Sequence, residues 1–331
     1  MFSMLNALQI LVMLPLLEAS VPANAGQVFR YLAEIAAFDV VEISEYVDQY
    51  LDLVPTAPVN HKLETLGFES RQYINNVGCF FFYITACSAG IACWILFAMA
   101  SSIIKQAVPI KRKLNKLLFW NRLIQAVFES FLIVTFSGLI AYRYKLDFYS
   151  SGQRVQSWYA LVCFAAYMAI PLYCLIKVGV SFSERFLTMY KSVYGYLYEG
   201  LATHKGRVVL LHPTLFLLRR LFLATMVIYG TKVFIFQMTP LMISNVLISA
   251  MISQLVVKRK IQMLAEVATM VVTDLFMAFN MIDAEDNFTL GYAAVAAVGA
   301  YIAICAFIIL RSLLIFIRKL LRRKLTMRKY R

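Results

Sequence analysis

The sequence predicts an all-α polytopic membrane protein, a transmembrane helical bundle of seven to eight spans with amphipathic interfacial helices. Two observations lead to this prediction. Hydrophobic residues make up 61% of the 331 residues, and only 15% are charged. The mean hydropathy of +0.72 exceeds that of a water-soluble domain. Apolar runs of about 20 residues, long enough to cross a bilayer as helices, also recur along the chain.

Seven apolar segments carry the clearest signal, and we predict that each crosses the membrane once. In order, they are Val77–Ala100, Leu123–Tyr142, Trp158–Lys177, Pro213–Tyr229, Val233–Val257, Ile261–Ile282 and Thr289–Ile317. An eighth candidate, Met4–Leu17, is short, and the small residues around Asn24 resemble a signal-peptidase site. A retained helix and a cleaved signal segment therefore both stay open for residues 1–17.

Charge is distributed unevenly along the chain. Glu18–Arg71 holds nine of the 18 acidic residues but three of the 32 basic ones, which makes it net negative. Since Lys and Arg beside spans are retained on the cytoplasmic side, we expect residues 18–76 outside, residues 77–317 as the bundle and a basic cytoplasmic tail at 318–331. No soluble basic face is available for nucleic acid. In the tail we expect five residues to contact anionic inner-leaflet lipids: Arg318, Lys319, Arg322, Arg323 and Lys324.

Two segments between the spans have apolar residues at helical spacing. In the outer region, Phe29, Leu32 and their successors predict amphipathic helices on the membrane or over the bundle, and Pro55 ends the pattern. An acidic cap that gathers a ligand is the alternative. On the inner side, Ser181–Leu201 predicts a helix along the membrane surface or a continuation of the preceding span.

Very few charged side chains fall within the spans, and each needs a physical reason because a charge in the bilayer centre is costly. Glu129 lies about two turns into its span, while Arg219 and Arg220 lie deep in the span that begins at Pro213. On Ile261–Ile282, helical spacing of 100° per residue predicts one polar face. That face consists of Glu266, Thr269, Thr273, Asp274 and Asn280.

Two interpretations of these residues stay open. In the first, the acids line a cation pathway, as intramembrane carboxylates commonly do. In the second, Glu129, Glu266 or Asp274 pairs with an arginine and determines how the helices pack. Separately, Asn287 begins a formal glycosylation sequence beside the last span.

Enzyme signatures are absent from the sequence. Hydrolase, metalloprotease and nucleotide-binding motifs do not occur, and the three histidines are not at ligand spacing. We therefore predict no enzymatic activity, no cofactor and no metal site. At His204 and His212, beside a basic turn, we expect solvated side chains.

Several short motifs together carry a family resemblance. They are Leu8-Gln9-Ile10-Leu11, Leu14-Pro15-Leu16, Val21-Pro22-Ala23-Asn24, Ile35-Ala36-Ala37-Phe38-Asp39, Leu197-Tyr198-Glu199-Gly200-Leu201, Arg219-Arg220, Gln237, Ile261–Glu266 and Gly291-Tyr292. They resemble the multi-pass C-terminal transmembrane region of ciliate cysteine-rich surface proteins, which is distantly similar to fungal TRP-like membrane proteins. The resemblance implies a channel-like or transport-associated bundle. The cysteine-rich extracellular portion of that family has no counterpart in this sequence.

The combined prediction is a channel-like or sensory integral membrane protein that conducts cations along the polar face of 261–282 and assembles into an oligomer or larger membrane complex. The alternative is a non-conducting scaffold or assembly subunit of a larger complex. Plasma, ciliary and other internal membranes stay open as its location.

Overall fold

A computed structural model of the chain is all-α throughout the residues that it describes, which confirms the predicted class. The described residues are 2–17, 22–37, 49–51, 61–64, 68, 70–78, 80–103, 121–144, 146–180, 197, 210–230, 234–252, 267–275, 289, 291–304, 306–307, 310–311 and 314. The predicted inner helix Ser181–Leu201, apart from Leu197, and most of the outer region after α2 lie outside these residues.

The helices are defined by the following bounds. In chain order they are α1 (Phe2–Met13), followed by a 3-10 turn (Leu14–Leu16), α2 (Ala23–Ala37), α3 (His61–Glu64), α4 (Tyr73–Val77), α5 (Phe80–Ile103), α6 (Asn121–Arg143), α7 (Ser151–Val180), α8 (His212–Tyr229) and α9 (Phe234–Ile252). Residues 267–275 form α10, and Gly291–Ile304 forms α11.

Three helices within the described residues are long and apolar enough to cross a membrane. They are Phe80–Ser101 in α5, Leu123–Arg143 in α6 and Ser151–Ile176 in α7. At 1.5 Å per residue, each is long enough for the roughly 30 Å hydrocarbon core. These helices indicate an integral membrane protein whose apolar surfaces are compatible with lipid contact.

Helix α6 is the central helix of the bundle. In an 18-residue apolar stretch of α6, 72% of the residues are buried inside the protein, whereas in the corresponding stretch of α5 only 6% are buried. Helices α1, α4, α5, α7 and α8 all pack against α6. Neighbouring helices therefore enclose α6, as expected of a helix that is apolar on every side. Helix α5 instead exposes nearly all of its surface at the outside of the bundle.

Helices α6 and α8 run parallel, and α7 runs antiparallel to both. Near the first turns, the rings of Phe128 and Phe216 stack with centroids 6.1 Å apart. At the opposite ends, the Arg143 guanidinium carbon lies 5.5 Å from the centroid of the Tyr229 ring. A short connection joins α6 to α7, which returns along α6. This arrangement positions polar residues of all three helices at one level.

Helix α1 and the 3-10 turn lie in the core. Leu8, Leu11 and Leu14 are buried and belong to the same apolar cluster as Leu132 of α6 and Leu223 of α8. Helix α2 packs on α1. It buries Ala25, Phe29 and Leu32 and exposes Tyr31, as expected of an amphipathic helix.

Candidate functional site: a polar layer inside the bundle

Five side chains from three helices form what we call the polar layer: Glu129 and Ser130 of α6, Tyr167 of α7, and Arg219 and Arg220 of α8. Arg219 is 2% exposed and Arg220 is 0% exposed. Adjacent residues on a helix point about 100° apart, so both can be buried only where neighbours enclose α8 over a wide arc. Helices α1, α6, α7 and α9 provide those neighbours.

Arg220 connects α8 to α6. Its Nη1 donates a hydrogen bond of 2.6 Å to the carbonyl oxygen of Phe128. Its guanidinium carbon also lies 4.4 Å from the centroid of the Phe216 ring, one turn earlier on the same helix. Arginine keeps its charge in proteins, and a carbonyl oxygen and an aromatic face both stabilise a buried cation.

Glu129 follows Phe128 and brings a carboxylate into the same level. It is 8% exposed, hydrogen bonds to Gln125 and interacts electrostatically with Arg220. Within the described part of the chain, its Oε1 has no hydrogen-bond partner. A buried carboxylate and a buried guanidinium attract each other, but both lose hydration, so the pair is weak evidence for added stability.

Ser130 and Tyr167 connect α6 to α7. The two hydroxyl oxygens lie 2.7 Å apart. The Ser130 hydroxyl also lies 2.9 Å from the carbonyl oxygen of Ala126 in its own helix, to which it can donate. Ser130 and Tyr167 are both buried. The polar layer therefore joins α6 to both α7 and α8.

The predicted polar face of 261–282 divides in the structure. Thr269 and Thr273 of α10 are buried, and the Thr273 hydroxyl donates a 2.6 Å hydrogen bond to the Thr269 carbonyl oxygen. Asp274 is instead exposed. It shares its face with Val271, three residues earlier, and Val267, seven residues earlier, which are 46% and 44% exposed.

The structure brings Glu129 and Arg220 together, buries Arg219 next to Arg220 on α8, and leaves Asp274 apart from them. The remaining candidates lie outside the described residues: Glu266, Asn280, Asn287, Arg318, Lys319, Arg322, Arg323 and Lys324. Within the described residues, no group of three or more His, Cys, Asp or Glu side chains is arranged to hold a metal ion.

Sequence reasoning missed the contribution of uncharged polar residues. Ser130 and Tyr167 occur within long apolar runs, where isolated hydroxyls are common and give no signal. The expectation of a solvated His212 was wrong, because the first residue of α8 is buried against the bundle. The basic residues near it in sequence predicted a surface turn, whereas the helix start itself lies inside the fold.

No family model, curated protein or solved structure matches this chain. Its function is therefore inferred from the side chains and their packing.

Proposed function

We propose that the chain is a channel-like subunit of an oligomeric membrane assembly, in which Asp274 faces the interior of the assembly and attracts cations. The single observation that carries this proposal is an exposed carboxylate among the exposed apolar side chains of Val267 and Val271. An acidic side chain that faces lipid at mid-membrane depth costs about 2.5–3.5 kcal/mol. Another subunit or water is therefore the favourable neighbour for Asp274.

The rotation of α10 supports an outward direction for Asp274. Thr269, Val272 and Thr273 are buried, and the Thr273 hydroxyl is satisfied within its own helix. This inner face packs without needing a charged partner. Turning α10 to bury Asp274 would expose part of the packed face, so the outward carboxylate and the inner threonines belong to one arrangement.

Repetition around a symmetry axis would concentrate the charge. Closed symmetric oligomers present the same surface from every subunit, and rings of acidic side chains select cations in many channels. We include in this proposal the seven to eight spans predicted from hydropathy and a cytoplasmic C-terminus. The additional spans are α8, α9, the segments that contain α10 and α11, and an optional N-terminal helix.

The test is the current through planar bilayers that contain the purified full chain. We expect wild type to pass cations in preference to anions and Asp274→Asn to lower both the current and this preference. Because ions screen a carboxylate, the difference should be larger at about 0.01 M salt than at 1 M. Glu64→Gln, the same chemical change at the exposed end of α3, should leave the current unchanged.

The second candidate is a non-conducting scaffold or assembly subunit. It is favoured by Arg220, whose charge is used inside the bundle on the Phe128 carbonyl oxygen. A scaffold should give no current in wild type, while Asp274→Asn weakens subunit association measured by cross-linking. Absence of current together with an intact oligomer would reject conduction and support this second candidate.

A further inference from the structure

A polar cavity of about 80 Å³ lies where the residues before α4 meet the end of α6 and the start of α7. Its volume exceeds the roughly 10–15 Å³ that one water needs on this measure several times over, so a small polar group fits. The lining residues that matter for recognition are Arg71, Tyr144, Asp147 and Gln156. The cavity is separate from the polar layer and from Asp274.

Hydrogen bonds hold the α7 wall of the cavity in place. Ser150 and Gln153 form a reciprocal capping box. The backbone N–H of Gln153 donates to Ser150 Oγ at 3.1 Å, and the backbone N–H of Ser150 donates to Gln153 Oε1 at 3.2 Å. The Ser157 hydroxyl donates to the carbonyl oxygen of Asp147 at 2.6 Å. The loop that carries Asp147 is thus tied to α7.

The segment before α4 is built in a similar way. The backbone N–H of Gln72 donates to Ser70 Oγ at 3.0 Å, and the side-chain Nδ2 of Asn76 donates to the Ser70 carbonyl oxygen at 2.6 Å. Beside Gln72, the Arg71 guanidinium carbon lies 5.5 Å from the centroid of the Tyr144 ring. This cation–π contact orients Arg71 at the cavity.

The cavity lining contains one positively charged side chain, Arg71, and one negatively charged side chain, Asp147. A guanidinium fork matches phosphate oxygens, and a carboxylate accepts hydrogen bonds from an ammonium group. Gln156 Oε1 is buried and, in the described part of the chain, accepts no hydrogen bond. It is therefore a second acceptor beside Asp147. A primary ammonium has three N–H donors for these acceptors, whereas a quaternary ammonium has none.

Exposed aromatic side chains surround this end of the bundle. Tyr142, Tyr149 and Trp158 are each more than half exposed, and they flank the cavity in sequence at the end of α6 and the start of α7. Tyrosine and tryptophan are enriched at the level of lipid headgroups, where the ring stays apolar and the polar atom reaches water. The cavity accordingly lies at headgroup depth.

We propose that this cavity binds the headgroup of an ethanolamine phospholipid from the bilayer. Arg71 contacts the phosphate, while Asp147 and Gln156 accept hydrogen bonds from the ammonium. The binding needs no covalent step and does not depend on whether the chain conducts ions.

The test is native mass spectrometry of the full chain in detergent, titrated with phosphatidylethanolamine or phosphatidylcholine of the same acyl chains. Wild type should retain the ethanolamine lipid preferentially. Arg71→Gln should weaken retention about tenfold, the effect of losing one charge-assisted contact. Arg154→Gln is the matched control, because Arg154 lies nearby on α7 but does not line the cavity, and it should bind like wild type.

Two further arms make the outcome decisive. Asp147 is exposed, so Asp147→Asn should leave the packing unchanged, and it should remove the preference between the two lipids. Arg71→Lys should keep most of the binding. Equal retention of both lipids by wild type, or an unchanged preference in Asp147→Asn, overturns the proposal. Binding of soluble phosphoethanolamine without any retention of the lipid also overturns it, since the bilayer would not be the source.

Discussion

Gly138 of α6 lies directly against Phe164 of α7, and replacing it with alanine tests the packing of the bundle. A Cβ atom built at Gly138 would lie 2.6 Å from Cδ2 of Phe164 and 3.1 Å from its Cβ. Favourable carbon contacts are about 3.5–4.0 Å. The ring of Phe164 can rotate away, but its Cβ is attached to the backbone of α7, so the two helices must separate.

The expected free-energy change is the difference between two terms. Replacing glycine by alanine within a helix contributes up to about 1 kcal/mol of stability. Overpacking a close contact costs about 1–3 kcal/mol, and here the upper half applies because backbone must move. We therefore expect Gly138→Ala to lower the free energy of unfolding by about 1–2 kcal/mol.

The assay is thermal and denaturant unfolding of the full chain in mixed micelles, followed by helical circular dichroism. Gly299→Ala is the matched control, because a Cβ there meets nothing within 4 Å, and it should be neutral or slightly stabilising. Adding Phe164→Leu to Gly138→Ala should recover part of the loss. If Gly138→Ala is as stable as Gly299→Ala, the close approach of α6 and α7 is wrong.

Two other predictions concern hydroxyl groups. Ser130→Ala and Tyr167→Phe should each lower the free energy of unfolding by about 0.5–1.5 kcal/mol, and the double variant should lose much less than the sum, whereas full additivity would contradict their hydrogen bond. Burial raises the pKa of Tyr73 well above its ordinary value, because the folded state accommodates only the neutral phenol. The stability that depends on the neutral phenol is therefore fully present below about pH 10 and is lost as the pH rises further. Unfolding measured between pH 9 and about 11.5 should show a smaller alkaline loss for Tyr73→Phe than for wild type or for the exposed control Tyr149→Phe, and equal losses would refute the assignment.

Hydropathy predicted the positions of the apolar helices well. The predicted span Leu123–Tyr142 corresponds to α6 at Asn121–Arg143, and Pro213–Tyr229 corresponds to α8 at His212–Tyr229. These ends are predictable because the apolar run and the helix stop together. Helix α7 begins at Ser151, well before the predicted Trp158, because the capping box at Ser150 starts the helix within polar residues.

The orientation of a helix about its own axis was much harder to predict. Thr273 and Asp274 are adjacent, and both are polar, so spacing alone placed them on one face. In the structure they lie on different sides, because Val272 and Thr269 pack inward together with Thr273. Only the neighbouring helices determine where the boundary of the buried face falls, and a single sequence carries no direct record of those neighbours.

Arg220 and Asp274 show that the charged side chains of this bundle are of two kinds, one buried between helices and the other exposed on the outer face. Arg220 reaches the carbonyl oxygen of Phe128, and a shift of α8 by one residue along α6 would break this bond while leaving the apolar contacts largely replaceable. A polar contact of this kind determines register more strongly than it adds stability. Asp274 has no part in that register, since it lies on the exposed face of α10. Asp274→Asn should therefore leave the fold intact while changing ion conduction or subunit association, and a loss of helix packing in that variant would contradict the separation.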